Sequence, residues 1–332
     1  MTLSLPARVH EPHTAKVSYL TLKPETEMNR RHFLQKSTAG LALIPGYAAA
    51  ASFQAPADKQ EAAFNMKFSP DFGLFADVAG QDPLDQLRWG YDHGFRAWES
   101  TMLKNRPAEV QEKISKLMQQ LGMEFGQFVG TLTFTDVTFA GRDAARREQV
   151  LQEVRASVEI ARRMNTRIVH NVLGMSDPKL PMDFQMANAI ELLKQIAGIY
   201  EPHGITMVME PMNHRIDHPG MFLHTVPQAY ALAKAVDSPS VKVLCDIYHV
   251  QIQEGNLLPT IDFAWDEIAY FQMGDTPGRK EPGSGEINYQ NVLQHIHNKG
   301  YRGFVGLEHG TSEPGAAGEQ KTLEAYRKVD PK

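Results

Sequence analysis

Four side chains with oxygen atoms able to bind a cation stand at regular intervals in the second half of the chain. They are Glu210, Asp246, Gln272 and Glu308, each at the end of a short apolar run, and they are separated by 36, 26 and 36 residues. Intervals of this length accommodate a strand, a helix and the loops that join them. Side chains at the carboxyl ends of parallel barrel strands meet at one rim. Three carboxylates and an amide, with no thiolate among them, predict a hard divalent cation such as Mg²⁺ or Mn²⁺.

The elements needed to position these residues follow from the alternation of apolar runs and amphipathic segments after residue 65. Such alternation is typical of parallel α/β folds. Strands are predicted at 66–72, 95–98, 124–129, 167–172, 205–210, 241–245, 268–272 and 303–308. Eight strands with helices between them predict a closed (β/α)8 TIM barrel rather than an open doubly wound sheet. No glycine-rich motif for a dinucleotide follows the first strand, so no such cofactor is expected.

Three more residues near the predicted rim are candidates for contact with a substrate. His249 lies three residues after Asp246, where it suits a bond to a substrate oxygen or to Asp246 better than metal ligation, because four ligands are already available. Arg279, in a turn-rich loop, suits a bidentate grip on a carboxylate or a hydroxy-ketone. Glu99 ends the second strand, where it either touches the substrate or braces the barrel floor. Residues 130–141 lack helical spacing and are predicted as a long loop, a candidate lid over the strand ends.

Composition bounds the class of protein and its partners. The 332 residues include 34 Lys and Arg against 39 Asp and Glu, which gives a formal net charge of −5. No long basic run interrupts the body of the chain, so nucleic acid is not the expected partner. Cys245 is the single cysteine, which excludes an intramolecular disulfide. No apolar stretch is long enough to span a bilayer, so no membrane span is expected.

The part of the chain before residue 66 is interpreted as a leader and a linker. Residues 28–51 begin with Met28, continue with RRHFL at 30–34, and end in a mildly apolar stretch that finishes in alanines. This order resembles the twin-arginine export signal, and it predicts delivery to the periplasm by the twin-arginine translocation machinery. If the signal is not functional, the protein is expected in the cytoplasm. The predicted divisions are an over-extended start or disordered segment at 1–27, the signal at 28–51, a linker at 52–65 and the barrel at 66–332.

Three segments resemble the hydroxypyruvate isomerase family, within the xylose isomerase-like barrels. They are EPMN at 210–213, DIYH at 246–249, and QMGDTPGR at 272–279 continued by EPGSGEINY at 281–289. The resemblance implies a metal held by Glu210, Asp246, Gln272 and Glu308, with Glu210 and Glu308 as the proton donor and acceptor. The implied reaction converts hydroxypyruvate to tartronate semialdehyde through an enediolate. The ketose 3-epimerases, which the chain also resembles, have a histidine in place of Gln272, so the glutamine favours the hydroxypyruvate isomerases.

Several alternatives stay open at this point. One is a periplasmic ketose 3-epimerase, or an enzyme acting on keto-sugars or keto-glycosides by the same enediolate chemistry. Another is a non-catalytic sugar-binding barrel, which the intact Glu210 and Glu308 argue against. A third is a metal-dependent endonuclease, disfavoured by the acidic balance and by the scarcity of rim histidines. The expected partner is a small hydroxy-ketone or sugar, and a homo-oligomer is compatible with the pattern.

Overall fold

Residues 61–332 are described by a computed structural model of the chain. The strands are β1 (Lys67–Pro70), β2 (Ala97–Trp98), β3 (Glu124–Phe125), β4 (Gln127–Thr131), β5 (Ile168–Asn171), β6 (Thr206–Met209), β7 (Val241–Asp246), β8 (Ile268–Met273) and β9 (Phe304–Leu307). The helices are α1 (Ala76–Ala79), α2 (Pro83–Asp92), α3 (Ala108–Leu121), α4 (Ala144–Met164), α5 (Met182–Tyr200), α6 (Val226–Val236), α7 (Ile247–Gln253), α8 (Leu257–Phe263), α9 (Tyr289–Asn298) and α10 (Gly315–Val329). Short 3₁₀ turns occur at Leu103–Asn105, Glu201–His203 and Trp265–Glu267.

The strands form one closed parallel ring. Seven of them pair in the order β1-β9-β8-β7-β6-β5-β4, and β2 pairs with β3. The gap between the two sheets is bridged where Glu99 N–H donates to the carbonyl of Pro70 at 2.8 Å, and where Ser100 N–H donates to the carbonyl of Gln127 at 3.2 Å. The predicted third strand is divided at Gly126, so that β3 pairs with β2 and β4 pairs with β5. Because β3 and β4 together occupy one position in the ring, the nine strands fill eight positions, and the prediction of a (β/α)8 barrel is confirmed.

The helix boundaries follow from local capping. The Asp143 side chain accepts from the N–H of Arg146 at the start of α4, and Asn165 ends that helix in the left-handed conformation. Gly122 ends α3 with φ of 66°, a conformation that costs glycine little. The Thr225 side chain accepts from the N–H of Gln228 at the start of α6. Polar caps explain where α4 and α6 begin, and left-handed residues explain where α3 and α4 end.

Two apolar layers support the rim of the barrel. The larger one fills the space between the strands and the surrounding helices. The smaller one lies inside the barrel and contains Val208, Leu244 and Tyr270, with Ile168 and Phe304 packed against them. Residues two positions apart on a strand face the same side. Val208, Leu244, Tyr270 and Ile168 therefore lie beneath polar residues two positions later in the chain, whereas Phe304 lies beneath Gly306. This apolar floor supports the polar layer above it.

The predicted segments before the barrel lie mostly outside the described residues. This holds for 1–27, for the signal at 28–51 and for most of the linker at 52–65. The last linker residues do contact the barrel: Glu61 N–H donates to the carbonyl of Asp92, and Asn65 N–H donates to the Asp330 carboxylate. Among residues 61–332, none of the helices has the length and apolar character needed to cross a membrane.

Candidate active site

The four predicted oxygen ligands occupy the carboxyl ends of four adjacent strands. Glu210 directly follows β6, where Pro211 cannot extend the ladder. Asp246 is the last residue of β7 and is paired in register with Gln272 of β8, while Glu308 directly follows β9. The side chains of the first three are buried, and that of Glu308 is partly exposed. The structure therefore places all four on one sector of the rim.

Helix α7 begins directly after Asp246, with no loop between the strand and the helix. The Asp246 Oδ1 atom caps this helix by accepting from the N–H of Tyr248 at 3.0 Å. The cap leaves Oδ2 directed toward the rim. One helical turn brings His249 back above the strand ends, where its Nε2 atom lies 3.5 Å from Glu210 Oε1 and 3.7 Å from Asp246 Oδ2.

The hydrogen bonds of Asn213 fix the tautomer of His249. The Asn213 Oδ1 atom accepts from the backbone N–H groups of Ile216 and Asp217, both at 3.1 Å, so its amide nitrogen faces the imidazole. That nitrogen lies 2.7 Å from His249 Nδ1. Because Nδ1 accepts there, the proton of a neutral imidazole is on Nε2. Burial, followed by the nearby charge of Arg279, lowers the pKa of His249 well below its usual value. A neutral ring with Nε2–H facing the rim is a hydrogen-bond donor rather than a metal ligand.

Arg279 reaches the same sector from the loop after β8. Its Nη2 atom lies 2.7 Å from Asp246 Oδ2 and 3.2 Å from Glu308 Oε2. The guanidinium lies over the ring of Tyr248, 4.8 Å from its centroid. Burial alone would lower the pKa of Arg279, but the carboxylates of Glu308 and Asp246 outweigh burial and hold the pKa above its usual value. Arg279 therefore carries its charge at the rim under all ordinary conditions.

His170 is a rim residue that the sequence analysis missed. It lies on β5, and its Nε2 atom is 3.1 Å from Glu210 Oε2, although the angle does not suit a hydrogen bond. Burial lowers the pKa of His170 to about 4, so the ring is neutral near pH 7. The available signal was a polar residue two positions after the floor residue Ile168, on the inner face of the strand. His170 thus forms the wall of the site next to Glu210.

Burial and mutual repulsion disfavour the charges of the rim carboxylates. Burial raises the pKa of Glu210, and the charge of Asp246 raises it further. Burial also raises the pKa of Asp246, with Arg279 opposing the shift. Glu308 shows the same pattern, since burial raises its pKa and Arg279 opposes the increase. Three neighbouring carboxylates whose pKa values are all raised have the properties expected of a functional site rather than of ordinary surface acids.

Unpartnered oxygens identify the residues able to hold a cation. Glu210 Oε1 and Gln272 Oε1 are buried without a hydrogen-bond partner, and Glu308 Oε2 has only the ion pair with Arg279 Nη2 at 3.2 Å. Buried polar atoms are normally satisfied, so two unpartnered oxygens on one sector require an explanation. A divalent cation would satisfy both of them, and Glu308 Oε2 and Asp246 Oδ2, which Arg279 contacts, would provide two further oxygens. Within residues 61–332, one group of His, Cys, Asp and Glu side chains is close enough to share a metal, namely Glu210, Asp246 and His249. The oxygens of Glu210, Asp246, Gln272 and Glu308 therefore fit a hard divalent cation, with His249 beside them as a hydrogen-bond donor.

Glu99 lies deeper than the other predicted site residues. It follows β2, its side chain is buried, and its carboxylate accepts from the side chains of Gln127, Tyr270 and Gln272. Burial raises the pKa of Glu99 to about 8, an effect that the hydrogen bond from Tyr270 opposes. Its prediction as a substrate contact stays untested, and its position corresponds to the layer beneath the rim.

The candidate lid has one contact with the site. Residues 132–143 contain neither helix nor strand, and Phe134 is 46% exposed. Its ring stacks on His218 with the centroids 5.1 Å apart, and His218 in turn meets His249 edge to face at 5.3 Å. The loop thus contacts the rim through the stacked rings of Phe134, His218 and His249, and its role as a lid stays a prediction.

Comparisons with known proteins agree with this architecture. The model of the xylose isomerase-like TIM barrel family matches residues 87–329. The hydroxypyruvate isomerase of Escherichia coli (strain K12) is 32% identical over 182 residues, which cover 55% of this chain and 70% of that protein. The 2-oxo-tetronate isomerase of Pectobacterium atrosepticum is 29% identical over 257 residues, covering 76% of this chain and 95% of that protein.

A solved structure supports the fold at similar coverage. The crystal structure of an AP endonuclease, family 2, from Brucella melitensis superposes with a TM-score of 0.65 and 27% identity, covering 76% of this chain and 96% of that one. The barrel, the position of the site at its carboxyl rim and the sequence relatives all agree. The chain therefore belongs to the xylose isomerase-like TIM barrel family, and its sequence relatives identify it as an isomerase of that family.

Proposed function

We propose that the protein is a metal-dependent isomerase that interconverts an α-hydroxy ketone and an α-hydroxy aldehyde, with hydroxypyruvate and tartronate semialdehyde as the preferred pair. The observation that supports this most directly is the pair of unpartnered buried oxygens on Glu210 and Gln272, beside the Asp246 and Glu308 carboxylates that Arg279 contacts. These are the oxygens that a cation needs for binding, and they lie at the rim where barrel enzymes carry out their chemistry. The isomerase named in Escherichia coli supplies the substrate class.

Two proton transfers, one from carbon and one to carbon, define the reaction. A proton leaves C3 of hydroxypyruvate, a proton is added to C2, and the hydroxyl proton passes from the oxygen of C3 to that of C2, so the molecular formula is unchanged. The intermediate between them is an enediolate. Glu210 and Glu308 are the proposed acid and base, one accepting the proton from C3 and the other donating to C2. Burial raises the pKa of both toward neutrality, which suits groups that must accept and release a proton.

The remaining rim residues have distinct tasks in this proposal. When bound by Glu210, Asp246, Gln272 and Glu308, a divalent cation would supply a Lewis acid that stabilises the enediolate oxygens. His249 presents Nε2–H to a substrate oxygen, because Asn213 holds its Nδ1 atom. Arg279 carries the positive charge that binds the substrate carboxylate.

A longer substrate is the second candidate. The 2-oxo-tetronate isomerase relative aligns over nearly its whole length, which favours testing a four-carbon 2-oxo acid beside hydroxypyruvate. Ketose 3-epimerisation, keto-glycoside processing and sugar binding without turnover are weaker alternatives on the same scaffold. Endonuclease activity is disfavoured because, within the described residues, no second cluster of potential metal ligands accompanies Glu210, Asp246 and His249.

Proton NMR in D2O tests the proposal. The purified protein is incubated with Mg²⁺ and hydroxypyruvate, then with 2-oxo-tetronate, and then with a panel of ketoses and keto-glycosides. We expect metal-dependent conversion of a 2-oxo acid, with solvent deuterium appearing at the carbon that receives the proton. Deuterium incorporation confined to a sugar would replace the substrate class. No exchange in any compound, with metal bound, would contradict the enzymatic proposal and favour a binding barrel.

Export to the periplasm is a separate proposal that depends on residues 28–51 alone. Its support is the twin-arginine pattern RRHFL at 30–34 followed by an apolar stretch. Cell fractionation with a Lys-Lys replacement of the two arginines checks it. We expect the wild-type protein in the periplasm and the variant in the cytoplasm, and equal distributions would exclude this route.

A further inference from the structure

A buried polar network lies directly beneath the rim and is centred on Glu99. Gln127 Nε2 and Gln272 Nε2 both donate to Glu99 Oε1, at 3.0 and 3.2 Å, and the Tyr270 hydroxyl donates to Glu99 Oε2. The side chain of Glu99 has no exposed surface. The carboxylate therefore connects β2, β4 and β8 inside the barrel, and one of its three donors is a predicted metal ligand.

The contact between Glu99 and Gln272 determines which end of the amide faces the rim. An amide nitrogen only donates, and an amide oxygen and a carboxylate only accept. With the nitrogen bound to Glu99, the Gln272 Oε1 atom lies at the other end of the amide, buried and without a partner. When Glu99 is ionised, the reverse orientation would place two acceptor oxygens about 3 Å apart with no proton between them, which is unfavourable.

From this geometry we infer that Glu99 is a positioning residue: it turns Gln272 so that the amide oxygen, and not the NH2 group, faces the cation site. The inference rests on the metal site of the proposed function. It also explains how a neutral glutamine can act as a metal ligand beside three carboxylates. An unrestrained amide would present its nitrogen to a cation part of the time. The role differs from the predicted contact between Glu99 and the substrate.

Two glycines on the barrel strands create the space that this network occupies. A Cβ atom at Gly306 of β9 would lie 2.5 Å from Glu99 Oε2 and 2.8 Å from Gln272 Cγ. A Cβ atom at Gly126, where the predicted third strand divides, would lie 2.4 Å from the Tyr270 hydroxyl. Any larger side chain at either position would displace the carboxylate or its donors. The absence of side chains at both positions indicates that the barrel interior is shaped around the network.

The test measures Mn²⁺ affinity of the metal-free full chain by isothermal titration calorimetry. Glu99→Gln keeps the shape of the side chain but provides an NH2 group that can bond to Gln272 Oε1 and turn the amide over. We expect the Kd for Mn²⁺ to rise by about 10-fold to 100-fold, the effect usual for groups that orient metal ligands. Tyr270→Phe is the matched control, since it removes another donor to Glu99 and leaves the Gln272 contact. Its Kd should stay within about threefold of wild type.

The exchange variant Glu99→Gln with Gln272→Glu separates orientation from general damage. In it, the new amide at 99 donates to the new carboxylate at 272, whose second oxygen faces the site, so we expect Mn²⁺ affinity at or above the wild-type level. Because an added carboxylate ligand raises affinity by itself, the exchange variant is compared with Gln272→Glu alone, in which two carboxylates face each other and Mn²⁺ should bind more weakly than in the exchange variant. Equal Kd values for these two variants would contradict the inference. If Glu99→Gln does not fold, the exchange variant decides alone, and a folded exchange variant that does not bind Mn²⁺ contradicts the inference.

The outcomes distinguish this inference from the proposed function. If wild type binds Mn²⁺ and Glu99→Gln binds it with the same Kd, Glu99 does not orient Gln272, and the proposed function is unaffected. An unchanged Kd accompanied by a raised KM for the substrate would instead support the contact between Glu99 and the substrate. If wild type itself does not bind Mn²⁺, the metal site of the proposed function fails, and the inference fails with it.

Discussion

Two groups of buried carboxylates lie at the same end of the barrel and differ in how their oxygens are satisfied. In the loop after β8, Asp275 Oδ1 accepts from the N–H groups of Thr276 and Ile287, and Asp275 Oδ2 accepts from those of Gly283 and Gly285, at 2.8 to 3.0 Å. At the rim, Glu210 is as deeply buried, yet its Oε1 atom has no partner. Burial of an acidic side chain therefore does not by itself identify a functional site, whereas a buried carboxylate oxygen without a hydrogen-bond partner does.

The same contrast appears in the proton affinities of the two groups. Burial would raise the pKa of Glu281, a second acid of the loop, but hydrogen bonds from Ser312 outweigh burial and lower the pKa. The Glu210 carboxylate has no such donors, and its pKa is raised. The N–H and hydroxyl of Ser312 stabilise the Glu281 carboxylate in its charged form. At the rim, Arg279 offsets burial only in part, because the pKa values of Asp246 and Glu308 stay raised, and a bound divalent cation would stabilise their charged forms further. Variants of the two groups should therefore behave in opposite ways.

The largest expected effect is on turnover. Replacing either Glu210 or Glu308 by Gln removes a proposed proton-transfer group and an anionic metal ligand, so kcat should fall by roughly 10²-fold to 10⁴-fold or more. The metal-free fold of Glu210→Gln should be as stable as wild type, because burial and the charge of Asp246 already disfavour the charged form of Glu210. Steady-state kinetics and thermal unfolding of the metal-free protein measure the two quantities.

A matched control for this prediction is Glu267→Gln at the opposite end of β8. Glu267 is also buried, but its carboxylate pairs with Lys242 at 2.6 Å and Lys234 at 3.2 Å. This variant should keep nearly full activity. Near-wild-type activity in Glu210→Gln or Glu308→Gln would contradict their assignment as acid and base.

The next effect is on stability and concerns the loop. Asp275→Asn replaces one acceptor oxygen by an NH2 group that faces two backbone N–H donors. Leaving those donors buried and unsatisfied should lower the free energy of unfolding by about 3 kcal/mol. Urea unfolding of the metal-free protein measures this loss. A loss in Glu210→Gln equal to that in Asp275→Asn would remove the distinction between the two groups.

The third effect is a dependence on pH. The pKa of Glu210 rises from 4.5 to about 8 in the metal-free fold, so between these values the folded chain binds more protons than the unfolded chain. Stability without metal should therefore fall as the pH rises through this range. Metal binding requires deprotonated carboxylates, so the increase in Tm caused by Mn²⁺ should roughly double between pH 5.5 and pH 8. Differential scanning calorimetry at several pH values checks this, and a Mn²⁺ effect that shrinks with pH would contradict the sign.

Much of the fold could be predicted from local sequence because the residues that begin and end its helices and strands lie next to them in the chain. Helix α4 begins after Asp143, which caps its start, and ends at Asn165, so both of its limits are set by residues next to it in the sequence. The rim residues Glu210, Asp246, Gln272 and Glu308 could be located because each ends an apolar run, and strand ends converge in a parallel barrel.

Features that depend on contacts between distant segments could not be predicted in this way. His170 escaped notice because a strand buried on both faces does not show by alternation which side chain points inward. Helix α7 was missed because its start is set by the side chain of Asp246, which also serves the rim. The four hydrogen bonds to Asp275 form only when the loop closes on itself, so the residue looked like an ordinary turn acid.

The smallest effect sharpens the comparison within the loop itself. Glu281 accepts from both the N–H and the hydroxyl of Ser312, and so ties the loop after β8 to the segment after β9. Glu281→Gln keeps one acceptor and should cost about 1 kcal/mol of unfolding free energy, with little change in kcat. Urea unfolding and kinetics, with Ser312→Ala as the partner variant, measure the coupling. Because both changes break the same contact, their effects should be less than additive. Full additivity would show that Glu281 is satisfied by other groups, and that the loop does not owe its order to hydrogen-bonded carboxylates alone.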